Sequence, residues 1–246
     1  MTRILATIVA TLLMGAPTAS AGESIPVATG EWAPYVSEHL DNRGFLVEIL
    51  SEVFDQMEVD VEYRFYPWRR CYDSVTAGKV WAAFPYSKTD KRADEVRFSD
   101  KLSLSVTKFF VFGEPKVKQY KSPESLRPYR VGGVIGYFYE ETFNRLGLNV
   151  DYAAKEVSAL EKLMMGRTDL LPLNELVGWH LIRTRFPDRM DRFGVLKTPY
   201  SVDDLYLIVS KDYPDGMALL ERFNRALSVV KDQYIYRSIL ERFQVP

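Results

Sequence analysis

Residues 59–92 read VDVEYRFYPWRRCYDSVTAGKVWAAFPYSKTDKR, and this stretch decides the fold. Val59, Val61, Tyr63 and Phe65 alternate with charged residues, the pattern of a half-buried strand. Pro67 sits where a helix begins, and that helix runs through Trp68, Cys71 and Val75 to stop near Gly78. Val80 to Phe84 is an unbroken apolar run, the mark of a buried strand. The polar segment Ser87-Lys88-Thr89-Asp90-Lys91-Arg92 leaves its end as a loop, closed by Phe98-Ser99-Asp100. A guanidinium on such a loop grips a carboxylate with two parallel hydrogen bonds, so Arg92 is the candidate for holding an anionic ligand. The same segment also reads as a solvated surface loop.

Upstream, Ile25 to Thr29 is a strand, followed by the loop Gly30-Glu31-Trp32-Ala33-Pro34-Tyr35. Gly44 opens a helix through Met57, with Leu46, Ile49, Leu50, Val53, Phe54 and Met57 at helical spacing. The first third is therefore β-α-β-α-β, which predicts a parallel sheet with helices on its faces. Downstream the series restarts. Leu104 to Phe112 is strand-like; strands over 130–135, 149–153 and 169–173 alternate with helices over 137–146, 157–166 and 174–186. Val202 to Ser210 is one more strand, and two amphipathic helices, about 216–230 and 233–243, follow.

This pattern predicts an α/β protein of two lobes, each offering the carboxyl ends of its strands to ligand. The stretches 104–112 and 202–210 are the natural crossings between them. The expected division is 22–112 plus 205–246 for the first lobe and 113–204 for the second. Two lobes joined by two strands make a hinge that can close on a small molecule.

Composition bounds the function. Arg3, the apolar stretch Ile4 to Met14 and Ala19-Ser20-Ala21 form a signal peptide over residues 1–21, cleaved after Ala21. The expected location is the periplasm, with no membrane span in the mature chain. Cys71 is the single cysteine, so no internal disulfide forms. The two histidines, His39 and His180, lack ligand-spaced partners, so no metal and no cofactor are expected. The formal net charge is −1, which gives no electrostatic footprint for nucleic acid. Aromatic residues make up 13% of the chain and cluster near strand ends, where they line pockets as well as cores.

Several ordered features carry a resemblance. They are Trp32-Ala33-Pro34-Tyr35 after the first strand, Gly44-Phe45 at the first helix, and Tyr66-Pro67-Trp68-Arg69-Arg70 before the second. Thr89-Asp90-Lys91-Arg92, Val131 to Gly136 leading into Tyr137, and Gly166-Arg167-Thr168-Asp169 complete the series. The chain resembles the periplasmic solute-binding proteins of family 3, the polar amino-acid type that feeds ABC transporters, over nearly all of its mature length. The resemblance implies a type II periplasmic-binding-protein fold, two α/β sheets joined by a two-strand hinge. It implies that Arg92 pairs with a ligand carboxylate, that Ser87 donates to the same group, and that Trp32 covers the ligand while Trp68 forms another wall. Backbone N–H groups near Tyr137 and Phe138 would add donors.

Asn174 departs from the pattern, because that position carries an acid for the ligand α-ammonium in the amino-acid binders. Either Glu175 or Glu31 takes over, or the ligand lacks an ammonium. The expected function is capture of a small amino-acid-like or otherwise carboxylate-bearing solute by a monomer, for an ABC permease. The alternatives are a ligand-sensing module acting on a separate membrane protein, and a lyase on the same scaffold using Glu31, Glu175 or Asp169. The leading reading is not an enzyme.

Overall fold

The computed structural model describes residues 24–117, 119–243 and 245. The signal peptide read at 1–21 lies outside the described residues. The first part of the chain builds β1 (Ile25–Thr29), α1 (Phe45–Gln56), β2 (Val61–Phe65), α2 (Trp68–Thr76), β3 (Ala82–Ser87), α3 (Asp90–Glu95) and β4 (Arg97–Phe98). The long β5 (Ser103–Phe112) leads to β6 (Val131–Val134), α4 (Glu140–Arg145), β7 (Val150–Ala153), α5 (Glu156–Met164), β8 (Leu171–Asn174), α6 (Glu175–Arg185) and β9 (Phe193–Val195). The chain returns through β10 (Ser201–Val209) to α7 (Gly216–Asp232) and α8 (Tyr234–Arg242).

The strand order is β2-β1-β3-β10-β5-β8, with β1 parallel to both β2 and β3. The chain steps outward from β1 to β2, then back across β1 to β3, and a crevice opens outside the carboxyl ends of strands at such a reversal. The loop leaving β1 carries Trp32, and α3, which follows β3, carries Arg92. The second part repeats the plan. β6 pairs in parallel with β7 on one side, and a parallel bridge joins Val131 to Leu170, just before β8, on the other. The crossing strands run antiparallel through five rungs, Ser201–Leu205 against Thr107–Ser103. β8 is antiparallel to β5, so its carboxyl end points back toward the first part.

The expected two-strand hinge is the pair β5 and β10: through it the hydrogen-bonded ladder runs on from β2 to β8, and β6 and β7 form a second, two-stranded sheet. The core divides all the same. Phe45, Ile49, Phe54, Trp81 and Phe223 fill one face of the first part under α1, α7 and α8, and Cys71, Val75 and Ile208 fill the other under α2. Phe109, Leu126, Tyr139 and Phe143, with Phe110, Leu160, Leu171 and Ile182 on the opposite face, form the second part's core. The molecule has two lobes, each a sheet covered on both faces. Burying each large apolar side chain contributes about 1.5–3 kcal/mol.

Other differences from the sequence reading are local. The strand expected over 80–84 extends to Ser87, because Tyr86 and Ser87 find ladder partners in Tyr206 and Leu205. The segment read as a loop is partly helical: Thr89 Oγ accepts the Arg92 N–H at 3.3 Å and caps α3. The helix expected from Tyr137 starts at Glu140, since Gly136 turns the chain at φ 82° and the Tyr137 N–H bonds Val134 O. The short strands β4 and β9 carry too few residues to show a period. Among the described residues no helix is long and apolar enough to cross a membrane, and no group of His, Cys, Asp and Glu could hold a metal ion.

Candidate functional site

The carboxyl ends of β1–β3 face those of β6–β8 across the crossing strands. On the first lobe, Arg92 Nη1 donates to Ser87 O at 2.7 Å and to Ser87 Oγ at 3.1 Å. The guanidinium lies 5.2 Å from the centre of the Tyr86 ring and 5.9 Å from that of Tyr72, a cation–π seat. Burial and the hydrogen bond to Glu95 push the Tyr72 hydroxyl up to about 12. Among the described residues Arg92 forms no ion pair. Its anchorage is thus to a carbonyl, a hydroxyl and two rings, and its positive charge is left for something else.

The two tryptophans stand at neighbouring strand ends. Trp32 stacks nearly parallel on Tyr35, with ring centres 4.2 Å apart. Trp68, at the start of α2, meets the Tyr86 ring edge-on, and Tyr86 donates to Trp68 O at 2.9 Å. A Cβ at Gly30 would lie 2.6 Å from the Trp68 indole, so Trp68 lies over the bare backbone where β1 ends.

On the second lobe, Tyr137 turns inward and its hydroxyl donates to Glu156 at 2.5 Å, while Phe138 is 60% exposed. The Gly136 N–H donates to the Glu140 carboxylate at 2.5 Å and the Tyr137 N–H to Val134 O. These two backbone donors beside the expected anion position are therefore already used.

Asn174 is buried at the tip of β8 and caps α6, its Oδ1 accepting the Val177 N–H at 3.1 Å. Its Nδ2 donates to Tyr35 Oη and to Ser105 Oγ, both at 3.0 Å. Tyr35 in turn donates to Leu104 O at 2.9 Å. Burial pushes the Tyr35 hydroxyl far above the tyrosine range, so it stays a neutral donor. A three-way knot thereby ties the loop after β1, the crossing strand β5 and the start of α6. Sequence reasoning singled out Asn174 but not Ser105, which carries no local signal.

The carboxylates offered as substitutes are engaged. Glu175 pairs with Lys108 at 2.9 Å, and Glu31 Oε2 accepts the Glu38 N–H at 3.0 Å. Lys108 is the lone charge inside the apolar run 104–112, a signal the sequence did offer. Asp169 is tied to Arg130 and Lys116, both at 2.7 Å. Burial works to raise its carboxyl, but the bonds from Arg130 and Lys116 prevail and hold it well below the carboxylate range. Cys71 is buried, with its thiol on Thr29 O at 3.1 Å, and burial pushes that thiol up to about 11. A concavity of about 520 Å³ lies beyond the β2 edge, lined by Arg64, Tyr66, Arg70 and Lys79, not by the residues above.

Residues 25–245 match the bacterial extracellular solute-binding proteins, family 3. The chain belongs to this family. No curated protein matches it. Among solved structures, this family 3 chain is similar to a histidine kinase sensor domain with similarity to periplasmic binding proteins, at a TM-score of 0.73 and 19% identity, covering 89% of this chain and 95% of that one. An ancestral arginine-binding protein bound to glutamine gives 0.69 and 21%, over 89% and 97%. The GluR0 ligand-binding core from Nostoc punctiforme, in complex with L-glutamate, gives 0.72 and 17%, over 90% and 100%. At these identities the likeness establishes the fold, the two-lobed type II periplasmic-binding-protein architecture.

Proposed function

We propose that this protein is exported to the periplasm and captures a small carboxylate-bearing solute between its lobes, for delivery to an ABC permease. Residues 22–112 plus 205–246 move as one lobe and 113–204 as the other. The observation that carries the reading is the Arg92 guanidinium, seated on Ser87 and Tyr86 without a carboxylate partner among the described residues. Its charge and remaining donors suit a bidentate carboxylate at the crevice mouth of β3. Trp32 and Trp68 wall the same strand ends and shed water from the captured molecule. Family membership supports ligand capture, and the amino-acid ligands named for neighbouring structures support a small carboxylate-bearing one. The reading includes no turnover, since Glu31, Asp169 and Glu175 are each held by other groups.

A thermal-shift screen of carboxylates, followed by calorimetry on Arg92→Ala, tests this. Affinity for the selected probe should fall at least tenfold with the fold intact; unchanged affinity removes Arg92 from the site. A second reading, ligand sensing through a separate membrane protein, is favoured by the likeness to a kinase sensor domain. Ligand-stimulated ATP hydrolysis by a permease reconstituted with this protein supports delivery; its absence, with ligand still bound, supports sensing.

A further inference from the structure

We infer that the solute taken by this site is a carboxylate that bears no α-ammonium group. The inference rests on the capture reading above and narrows its ligand class. An α-amino acid places its ammonium beside its carboxylate. If Arg92 and Ser87 hold that carboxylate, the groups next in line are those at the ends of β1 and β8 and on the crossing strands. The tip of β8 is neutral. Asn174 spends its oxygen on the cap of α6 and both amide hydrogens on Tyr35 and Ser105. Tyr35 gives its own hydrogen to Leu104 O. An ammonium arriving there meets an amide oxygen already accepting a bond, and N–H donors that repel it.

The neighbouring carboxylates do not repair this. The charge of Glu175 is met by Lys108, both side chains being less than a quarter exposed, so recruiting Glu175 strands the lysine ammonium in a partly buried place. Glu31 is exposed and turned to the Glu38 N–H. Glu140 and Glu156 hold the β6 loop through Gly136 and Tyr137. Of the two acids on the crossing strands, Asp204 pairs with Lys101 at 2.7 Å, and Asp203, opposite Ser105 in the β10–β5 ladder, makes no ion pair among the described residues. Apolar side chains also stand at the crevice. Trp32 and Trp68 stand on one lobe, and Ile135 and Phe138, 59% and 60% exposed, stand on the other. A carboxylate with an apolar chain or ring satisfies these walls.

Calorimetry with matched pairs tests the inference: 3-phenylpropanoate against L-phenylalanine, 4-methylpentanoate against L-leucine, and glutarate against L-glutamate. The deaminated member of a pair should bind at least tenfold more tightly than its amino counterpart. Asn174→Asp, which keeps the α6 cap and adds a negative charge at the tip of β8, should reverse that preference. An amino acid that binds the unaltered protein as tightly as its deaminated partner overturns the inference, and loss of that binding in Asp203→Asn, Glu140→Gln or Glu156→Gln then identifies the acid responsible. The capture reading fails separately, by Arg92→Ala leaving the preferred probe's affinity unchanged. Binding by neither member of any pair overturns both.

Discussion

Replacing Asn174 by alanine removes three hydrogen bonds from the junction of the lobes in one step. The α6 cap is worth about 1 kcal/mol. The two amide donors to Tyr35 and Ser105 are worth about 0.5–1.5 kcal/mol each, and Ser105, buried, then loses the donor it faces. Tyr35 keeps its bond to Leu104, which limits the damage on that side. The expected loss is therefore about 2–4 kcal/mol. For a chain of this size that lowers the melting temperature by roughly 4–16 °C. Urea titration is the better assay, with the midpoint falling and the slope unchanged. Asn174→Ser retains a capping oxygen and should recover about 1 kcal/mol of the loss. Asn174→Asp retains the cap and can accept from the Ser105 hydroxyl, but it buries a charge, so its cost should exceed the roughly 1 kcal/mol of a single neutral bond. A loss below about 0.5 kcal/mol for Asn174→Ala, or equal losses for alanine and serine, would refute the knot as described.

Three further outcomes are expected. Gly30→Ala drives a methyl into the Trp68 indole and should destabilise the protein by about 1–3 kcal/mol, with a shift in tryptophan emission; normal stability and emission would mean that Trp68 does not lie on that backbone. Asp169 has a native pKa depressed below its unfolded value, so its contribution is present above the ordinary aspartate range and is lost as pH falls toward the native value. The urea midpoints of the parent protein and Asp169→Asn should then differ at neutral pH, and the gap should narrow as pH falls below about 4; a constant gap would contradict the pairing with Arg130 and Lys116. Cys71, buried with its thiol raised to about 11, should resist a thiol reagent at pH 8 until urea unfolds the chain, and prompt reaction in the native state would show that its burial is misjudged.

What the sequence disclosed followed the range of the forces involved. The helical spacing from Leu46 to Met57 and the alternation from Val59 to Phe65 are local, and both elements stand within two residues of where they were read. Arg92 and Ser87 are five residues apart, and the structure brings them together. The partners of Asn174 are not local: Tyr35 is 139 residues away and Ser105 is 69. A lone asparagine at a strand end reads as a vacancy for a ligand until those partners are in place. The same holds for Ser87 as the last residue of β3, since its ladder partner Leu205 arrives only when the chain has crossed back. The sequence reading takes the backbone N–H groups near Tyr137 and Phe138 as donors to the ligand. The turn at Gly136 sends Tyr137 to Glu156 and leaves Phe138 in solvent, an outcome that depends on the backbone conformation of one glycine.

The five rungs between β10 and β5 set the kind of motion available to the molecule. Sliding one crossing strand along the other by a single residue would reverse every side chain on it, ejecting Leu205 from one core and Thr107 from its place opposite Ser201. Translation of the lobes is thereby forbidden, and bending of the paired strands is left. The length of a captured molecule then becomes an angle. A bulkier solute would stop the rotation earlier, and the outer rims, far from the pivot, would magnify a difference of one methylene into a larger displacement.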